Sequence, residues 1–350
     1  MKELRSKLDQ LYENVDGFYY NNSFSEGYWS NLSKKEQTFL LRNLERDSTR
    51  NIVNKLFPRF EKIIFDPMRP VGLRLLELKE HEVGVDYGCM WGNLLIYCAK
   101  NCRSMLGVDQ TRESLEFVKY RLKEENLFNC YLLNTNLRES LPLKETFDFA
   151  IVNGVLEWMP DENDVELNAL FRKSKSCIKK HSSNPKLVQL EFLRMVYSNL
   201  KPGGKLYLAI ENRYDYQYFL WKKDPHSNLF YTAFLPRRIA NLISNAWYGR
   251  PYVNYLYSIN ELEQLTKEAG FAEVEKYAAF PDYRYPQKII PVQTNMENNF
   301  KSVYMLRSTH NILKRGARKI RKILDWVIYK KLGLFSLAPS FIYIARKSEN

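Results

Sequence analysis

The sequence predicts an α/β chain built on an open, mostly parallel sheet, and three observations carry that expectation. Short apolar strands at 83–87, 104–109, 130–134, 147–153 and 205–211 alternate with helical stretches at 92–102, 112–125 and 187–199, the alternation that parallel strands and crossover helices produce. Val83 to Asn93 reads VGVDYGCMWGN, an apolar strand running into an acid and a glycine-bearing turn. Asp109 then closes the next apolar run, Met105-Leu106-Gly107-Val108. Glycines just past a strand let the backbone approach a nucleotide-like ligand, and an acid about 20 residues on accepts hydrogen bonds from ribose hydroxyls. The pair reads as an adenosine-binding corner.

Composition agrees with an elaborated globular domain. At 350 residues, with 45% hydrophobic and 27% charged residues, the chain has the means to bury a large core and is not disordered. Cys89, Cys98, Cys102, Cys130 and Cys177 form no C-x-x-C pair and are odd in number, which suits a reducing compartment and offers no zinc spacing. No metal is expected. Met1 to Lys7 lacks the apolar stretch of a signal peptide, and no apolar run is long enough to span a membrane. A cytoplasmic location is expected.

The net charge of +13 is unevenly placed, with basic stretches from Arg172 to Lys186 and from Lys314 to Lys331. In the second, Leu313, Ala317, Ile320, Leu324 and Val327 recur at helical spacing, which predicts a basic amphipathic helix. Such a helix either lies on an anionic membrane surface, at the inner face, or docks on its own domain with a solvated basic face. Nucleic acid is a third reading, and charge alone does not choose.

Departures from the dinucleotide pattern select the cofactor. Gly88 and Gly92 are spaced G-x-x-x-G, with Cys89, Met90 and Trp91 between them, where a pyrophosphate demands small residues. S-adenosyl-L-methionine has no phosphate and needs only a close turn, a ribose acid and an adenine slot. At this point the chain resembles the class I S-adenosylmethionine-dependent methyltransferases, whose first motif ends a strand with an acid and a G-x-G-x-G turn. Met90 stands in place of the middle glycine.

The resemblance continues in chain order. FDFAIVN, from Phe147, looks like the fourth strand of that family, and Gly154-Val155-Leu156-Glu157-Trp158 like the turn and helix start beneath the cofactor. Leu200 to Lys205 followed by LYLAIEN is similar to its helix end, turn and fifth strand. Pro236-Arg237-Arg238 opens a helix, Ser258 and Glu261 form a capping box for another, and Ala269-Gly270-Phe271 enters a sixth strand. Phe341 to Ala345 supplies the seventh. The implied fold is a Rossmann-like, seven-stranded, mostly parallel sheet with an N-terminal helical cap at 1–80 and helical insertions. The core is then 81–279 and 339–350, with an acceptor lid at about 212–257, an exposed insertion at 173–185 and a basic helical insertion at 280–338.

A narrower likeness covers roughly residues 60–295. FDPMRPVGLRLLEL, DYGCMWGN, VNGVLEWMPD, IENRYDYQYFLWKKDPHS and FPDYRYPQKIIP together look like a bacterial subgroup associated with surface-polysaccharide and glycan gene clusters. That resemblance implies O-methylation of a carbohydrate or a nucleotide-linked or lipid-linked glycan precursor. An RNA methyltransferase is a rival, but Asn153-Gly154-Val155-Leu156 stands where a base-flipping enzyme carries a Pro-Pro-aromatic string. A catalytically silent S-adenosylmethionine-binding subunit, docked on a glycosyltransferase, is another.

Candidate residues follow from these roles. Gly88 and Gly92 are assigned to the methionine end, Asp109 to the ribose, Asn136 to the adenine, Asn153 to a place over the cofactor, and Asp86, before the turn, to the cofactor site. For the chemistry, His226 is the candidate base, Asp224 its orienter across the turn and Glu211 an acid at a strand's C-terminal end. Asn212, Arg213, Tyr216 and Trp221 are candidate acceptor contacts, the aromatics alternatively forming the core of the lid.

Overall fold

The computed structural model describes residues 2–21, 32–161, 184–292, 324 and 326–349. Nine α-helices are described: α1 Lys2–Leu11, α2 Lys34–Asn43, α3 Thr49–Leu56, α4 Glu61–Phe65, α5 Asn93–Ala99, α6 Arg112–Glu124, α7 Pro185–Asn199, α8 Arg237–Tyr248 and α9 Ile259–Glu268. The strands are β1 Glu13–Val15, β2 Phe18–Tyr20, β3 Val83–Tyr87, β4 Ser104–Asp109, β5 Cys130–Asn134, β6 Phe147–Asn153, β7 Leu200–Glu211, β8 Glu273–Phe280, β9 Lys288–Pro291 and β10 Ser340–Arg346. They form a ten-stranded sheet in the order β1-β2-β5-β4-β3-β6-β7-β10-β8-β9.

The expected seven strands lie contiguously inside this order, from β5 to β8. Pairing is parallel from β2 through β7 and antiparallel where β10 enters between β7 and β8. Ten strands replace the expected seven because both edges are extended. The hairpin β1-β2 comes from the segment expected to be a helical cap and pairs Tyr19 with Leu133 on β5, while β9 pairs back on β8. Both additions are only three or four residues long, too short for a period-2 pattern to show. The other elements of residues 2–80 are helical.

The strands are apolar because both sheet faces are covered. Val85, Tyr87, Leu106, Val108, Ala150 and Val152 enter one core, with Leu4, Leu8 and Tyr12, four apart in sequence, packed into it from the N-terminal segment. Met105, Phe149, Ile151, Tyr207 and Ala209 enter the other. The capping box of α9 is present, with Ser258 Oγ accepting from Glu261 N and the Glu261 carboxylate accepting from Ser258 N. A second box, Ser33 with Glu36, starts α2.

Residues 314–323 and 325 of the expected basic helix, and 162–183, which hold most of the other basic stretch, lie outside the described residues. Trp326–Lys331 forms a π-helical turn whose Tyr329 packs edge-on to Phe280. Among the described residues, no helix is long and apolar enough to cross a membrane.

Strand β3 is closely packed at Gly84. A Cβ on Gly84 would lie 2.2 Å from the Phe149 ring and 2.7 Å from Met105 Sδ. Its neighbour Asp86 is 2% exposed, and burial pushes its carboxyl up to about 8, with Asp109 adding to the rise and Arg69 opposing it.

Two stability measurements follow. Gly84→Ala overpacks a site with no slack and is expected to lower stability by about 1–3 kcal/mol in urea titrations, with Phe149→Leu restoring part of it. Asp86 ionises at about 8 in the folded chain and at about 3.9 unfolded. The native state therefore binds the extra proton between those values, and its contribution to stability is lost as pH rises through that window. Asp86→Asn is expected to flatten the fall of unfolding free energy between about pH 5 and about pH 8.5. An equal slope in parent and variant would show that Asp86 is not charged at the expense of the fold.

Candidate active site

The order of strands reverses at β3, which pairs with β4 on one side and β6 on the other. Connections therefore leave in opposite directions and open a crevice at the C-terminal ends of the strands, where α/β sheets bind ligands.

The turn after β3 forms one wall. Gly88 N and Cys89 N both donate to Val108 O, at 2.8 and 3.1 Å, tying the turn to β4. Gly88 (φ +74) and Gly92 (φ +72) take left-handed conformations, and a Cβ on either would strike Val155 at 2.7 Å or Val118 at 2.9 Å. Met90 also turns left-handed, φ +43, an arrangement that disfavours a side chain. Its N–H donates to Asp109 Oδ2 at 2.8 Å, which holds that conformation. Trp91 is turned away from the crevice into a core of its own, edge-on to Phe117 at 5.0 Å. The bulky residues that disfavoured a pyrophosphate thus serve packing.

Asp109 ends β4 with its other oxygen accepting from Thr111 N at 2.9 Å. Burial raises its carboxyl, against the lowering effect of the Thr111 and Met90 N–H groups. Asn134 is committed to the sheet, its Nδ2 on Asp109 O at 3.1 Å, while Asn136 stands in the loop beyond β5 with Oδ1 accepting from Arg138 N. Asn153 ends β6, in register with Ala209 of β7. Arg69, which sequence reasoning did not single out, lies close enough to Asp86 to oppose its rise, and its Nη1 is buried with no hydrogen-bond partner.

The other wall is a cluster of ionisable groups beyond β6 and β7. His226 is 2% exposed, and its Nδ1 lies 3.2 Å from Asp224 Oδ1. Asp224 Oδ2 in turn accepts from Ser227 Oγ at 3.0 Å and Thr232 Oγ1 at 3.1 Å. His226 Nε2 faces Glu157 Oε1 at 3.6 Å and Glu211 Oε2 at 3.7 Å. Burial alone would lower the imidazole, but Asp224, Glu157 and Glu211 outweigh it and raise it to about 10. Its proton therefore does not come off near neutrality, where a free imidazole would release it. Burial raises the Glu157 carboxyl, with Glu211 adding and His226 opposing. Asp224 is held below the usual carboxylate range: burial would raise it, but the His226 side chain and backbone N–H prevail.

Glu157 follows β6 in the short helical turn Leu156–Trp158. Asn254 Nδ2 grips its backbone carbonyl at 3.1 Å, and Arg250 clamps the nearby Asp161 with two bonds of 2.6 and 3.1 Å. The segment after α8 thus straps down the loop that carries the acid. Trp158 sits edge-on to the His226 ring at 5.0 Å. Arg284, beyond β8, approaches Glu211 at 4.0 Å.

His226, Asp224 and Glu211 are therefore brought together, and Glu157 joins them unanticipated. The expected acceptor contacts Asn212 and Arg213 are placed otherwise. Asn212 Nδ2 donates to Ser336 O and Ala338 O at 2.8 and 2.7 Å, tying the end of β7 to the chain entering β10. Arg213 reaches Glu261 at 2.8 Å and Leu235 O at 3.1 Å. Both side chains are employed by the fold, because a strand end that must meet two connections needs its polar groups satisfied. Tyr216 is buried against Tyr329, and Trp221 is 70% exposed, packed edge-on to Phe230.

Comparison with known proteins adds to this geometry. A probable cobalt-precorrin-6B C(15)-methyltransferase (decarboxylating) of Methanocaldococcus jannaschii is 24% identical over 153 residues, 41% of this chain and 83% of the relative. Among solved structures, phosphoethanolamine N-methyltransferase 2 of Haemonchus contortus, in complex with S-adenosyl-L-methionine, aligns with TM-score 0.44 and 14% identity over 88% of this chain and 60% of its own. A SAM dependent methyltransferase from Archaeoglobus fulgidus aligns with TM-score 0.39 and 16% identity over 83% of this chain and 100% of its own. A protein family described as a methyltransferase domain matches residues 60–276, more than half of the chain. Because that span runs from the approach to β3 into β8 and takes in both walls of the crevice, the chain belongs to the methyltransferase-domain family.

Proposed function

We propose that this protein transfers a methyl group from S-adenosylmethionine to a hydroxyl of a carbohydrate, free or as part of a glycan precursor. The family assignment supports the transferase class, and the donor wall fits the cofactor. Asp109 would accept the ribose hydroxyls, the backbone at Gly88 and Gly92 would admit the methionine end, and Asn136 would meet the adenine. Arg69 Nη1, buried without a partner, suits the methionine carboxylate. Bound there, S-adenosylmethionine supplies a methyl on a positively charged sulfur.

The observation that carries the acceptor class is the set of unpaired carboxylate oxygens opposite that wall. Glu157 Oε1 and Oε2 and Glu211 Oε2 are buried and accept no hydrogen bond. A polyhydroxylated acceptor brings O–H donors, which is what such oxygens lack. Held there, one hydroxyl would give its proton to a carboxylate of the cluster as it takes the methyl group that the cofactor would supply. Positioning within about 3 Å, in line, does most of this work. Asp224 positions His226, and His226 in turn keeps the two glutamates apart and oriented. The likeness of residues 60–295 to the glycan-associated subgroup agrees with this acceptor class.

Calorimetry is expected to show S-adenosylmethionine or its demethylated product binding and NAD not binding. Asp109→Ala should weaken that binding by about 2–3 kcal/mol, the worth of two hydrogen bonds to a charged group; unaltered affinity would remove Asp109 from the ribose. With labelled cofactor and a panel of sugar, amine and RNA acceptors, label should appear in sugar hydroxyls. Glu211→Gln should then lower turnover by about a hundredfold to ten-thousandfold with cofactor affinity near the parent value. Label confined to amines or RNA would overturn the acceptor assignment.

A further inference from the structure

The same three side chains have the makings of a metal centre. One ligand atom from each of Glu157, Glu211 and His226 lies within 4.8 Å of the other two. The separations of 3.6 and 3.7 Å from His226 Nε2 to the glutamate oxygens are too long for hydrogen bonds. They are close to the spacing of two atoms bound to one ion, since ligands about 2.1 Å from a tetrahedral centre stand about 3.4 Å apart. Glu157 is 1% exposed, and neither of its oxygens has a hydrogen-bond partner. Buried carboxylates without donors are expensive, and a cation between them removes that expense. The back of the imidazole is also prepared, because Asp224 holds Nδ1 and is itself anchored by Ser227 and Thr232. A carboxylate behind a histidine is the arrangement that orients a metal-binding ring.

We infer that Glu157, Glu211 and His226 bind a divalent first-row cation, which takes the place of the proton on His226 Nε2 and releases it to solvent, with Asp224 positioning the histidine. One imidazole and two carboxylates suit Zn²⁺ or Mn²⁺ better than Mg²⁺, and the two carboxylates neutralise its charge. Three protein ligands leave a position open. This deepens the proposed function and rests on it for what occupies that position: an acceptor hydroxyl there would be acidified by the ion and would give its proton to the second oxygen of Glu157 or Glu211. The spacing of cysteines and histidines in the sequence gave no warning, because the ligands come from the turn after β6, the last residue of β7 and the loop that follows β7.

Cation binding itself needs neither cofactor nor acceptor, so it is tested apart from methyl transfer. The full chain, stripped with a chelator and dialysed, is titrated with Co²⁺ while visible absorption is recorded, and Zn²⁺ is then added in competition. The expected result is one Co²⁺ per chain, with visible bands but no sulfur-to-metal charge-transfer band, displaced by Zn²⁺. Glu157→Gln and His226→Gln should each weaken Co²⁺ by about a hundredfold or more, with circular dichroism and S-adenosylmethionine binding retained. No stoichiometric Co²⁺, a thiolate signature, or undiminished binding in both variants overturns the site. Should the variants fail to fold, the parent spectrum decides alone. A parent that binds S-adenosylmethionine but not Co²⁺ sinks the metal centre and leaves the methyltransferase reading standing, whereas the reverse result sinks that reading instead.

Discussion

Strand β3 pairs in parallel on both sides, and the crevice follows from that. With β4 and β6 as neighbours, the connections after β3 and after β6 leave in opposite directions, so one narrow gap receives both the glycine turn and the loop bearing Glu157. The close approach of Phe149 and Met105 over Gly84 keeps these strands in register. A residue of displacement there would move Asp86, Asp109 and Glu157 relative to one another. The turn has a second dependence, the hydrogen bond from Met90 N to Asp109 Oδ2, which lets a methionine occupy a left-handed position and joins the shape of one wall to the acid of the next strand.

Much of this was legible in the chain because the central strands are buried on both faces and read as unbroken apolar runs. The bounds expected for β3, β4, β5 and β6 are the bounds observed. The strand end at Asp109 and the left-handed turn at Gly88 and Gly92 were legible for a similar reason, since a strand followed by a glycine turn is a local signal. Asp224 and His226 share one turn, so their contact could be foreseen from two residues. Glu157 could not. An acid in Leu156-Glu157-Trp158 reads as exposed, and its burial depends on Asn254, His226 and Arg250, which come from about 70 to 100 positions further on in the chain. Asn212 and Arg213 mislead in the opposite sense: polar groups at a strand end look like ligand contacts, yet here they fasten β7 to neighbouring chain segments. Phe18–Tyr20 carries aromatics in a segment too short to reveal any period, and its pairing with β1 and β5 makes it a strand.

The two walls differ in how charge is handled. On the donor side, Asp109 is buried but satisfied by two backbone N–H groups. On the other wall, both oxygens of Glu157 and Oε2 of Glu211 are left without donors, and His226 stands beyond hydrogen-bonding distance of them. A fold tolerates such a group when binding or chemistry recovers the loss. The proposed function rests on this contrast, with Glu157 and Glu211 given to the second substrate and the preformed carboxylate of Asp109 to the hydroxyls of the cofactor.

The short strands at the two margins of the sheet bear on how copies of the chain meet one another. Unpaired strands invite addition of a further strand when they are long, flat and apolar. Here the margins are β1, three exposed residues beginning with Glu13, and β9, four residues from Lys288 to Pro291. Neither offers the length or the uninterrupted row of N–H donors that a second sheet needs. Among the described residues, continuing the sheet from one molecule to the next is therefore disfavoured at both ends by the two features that made the sheet larger than expected.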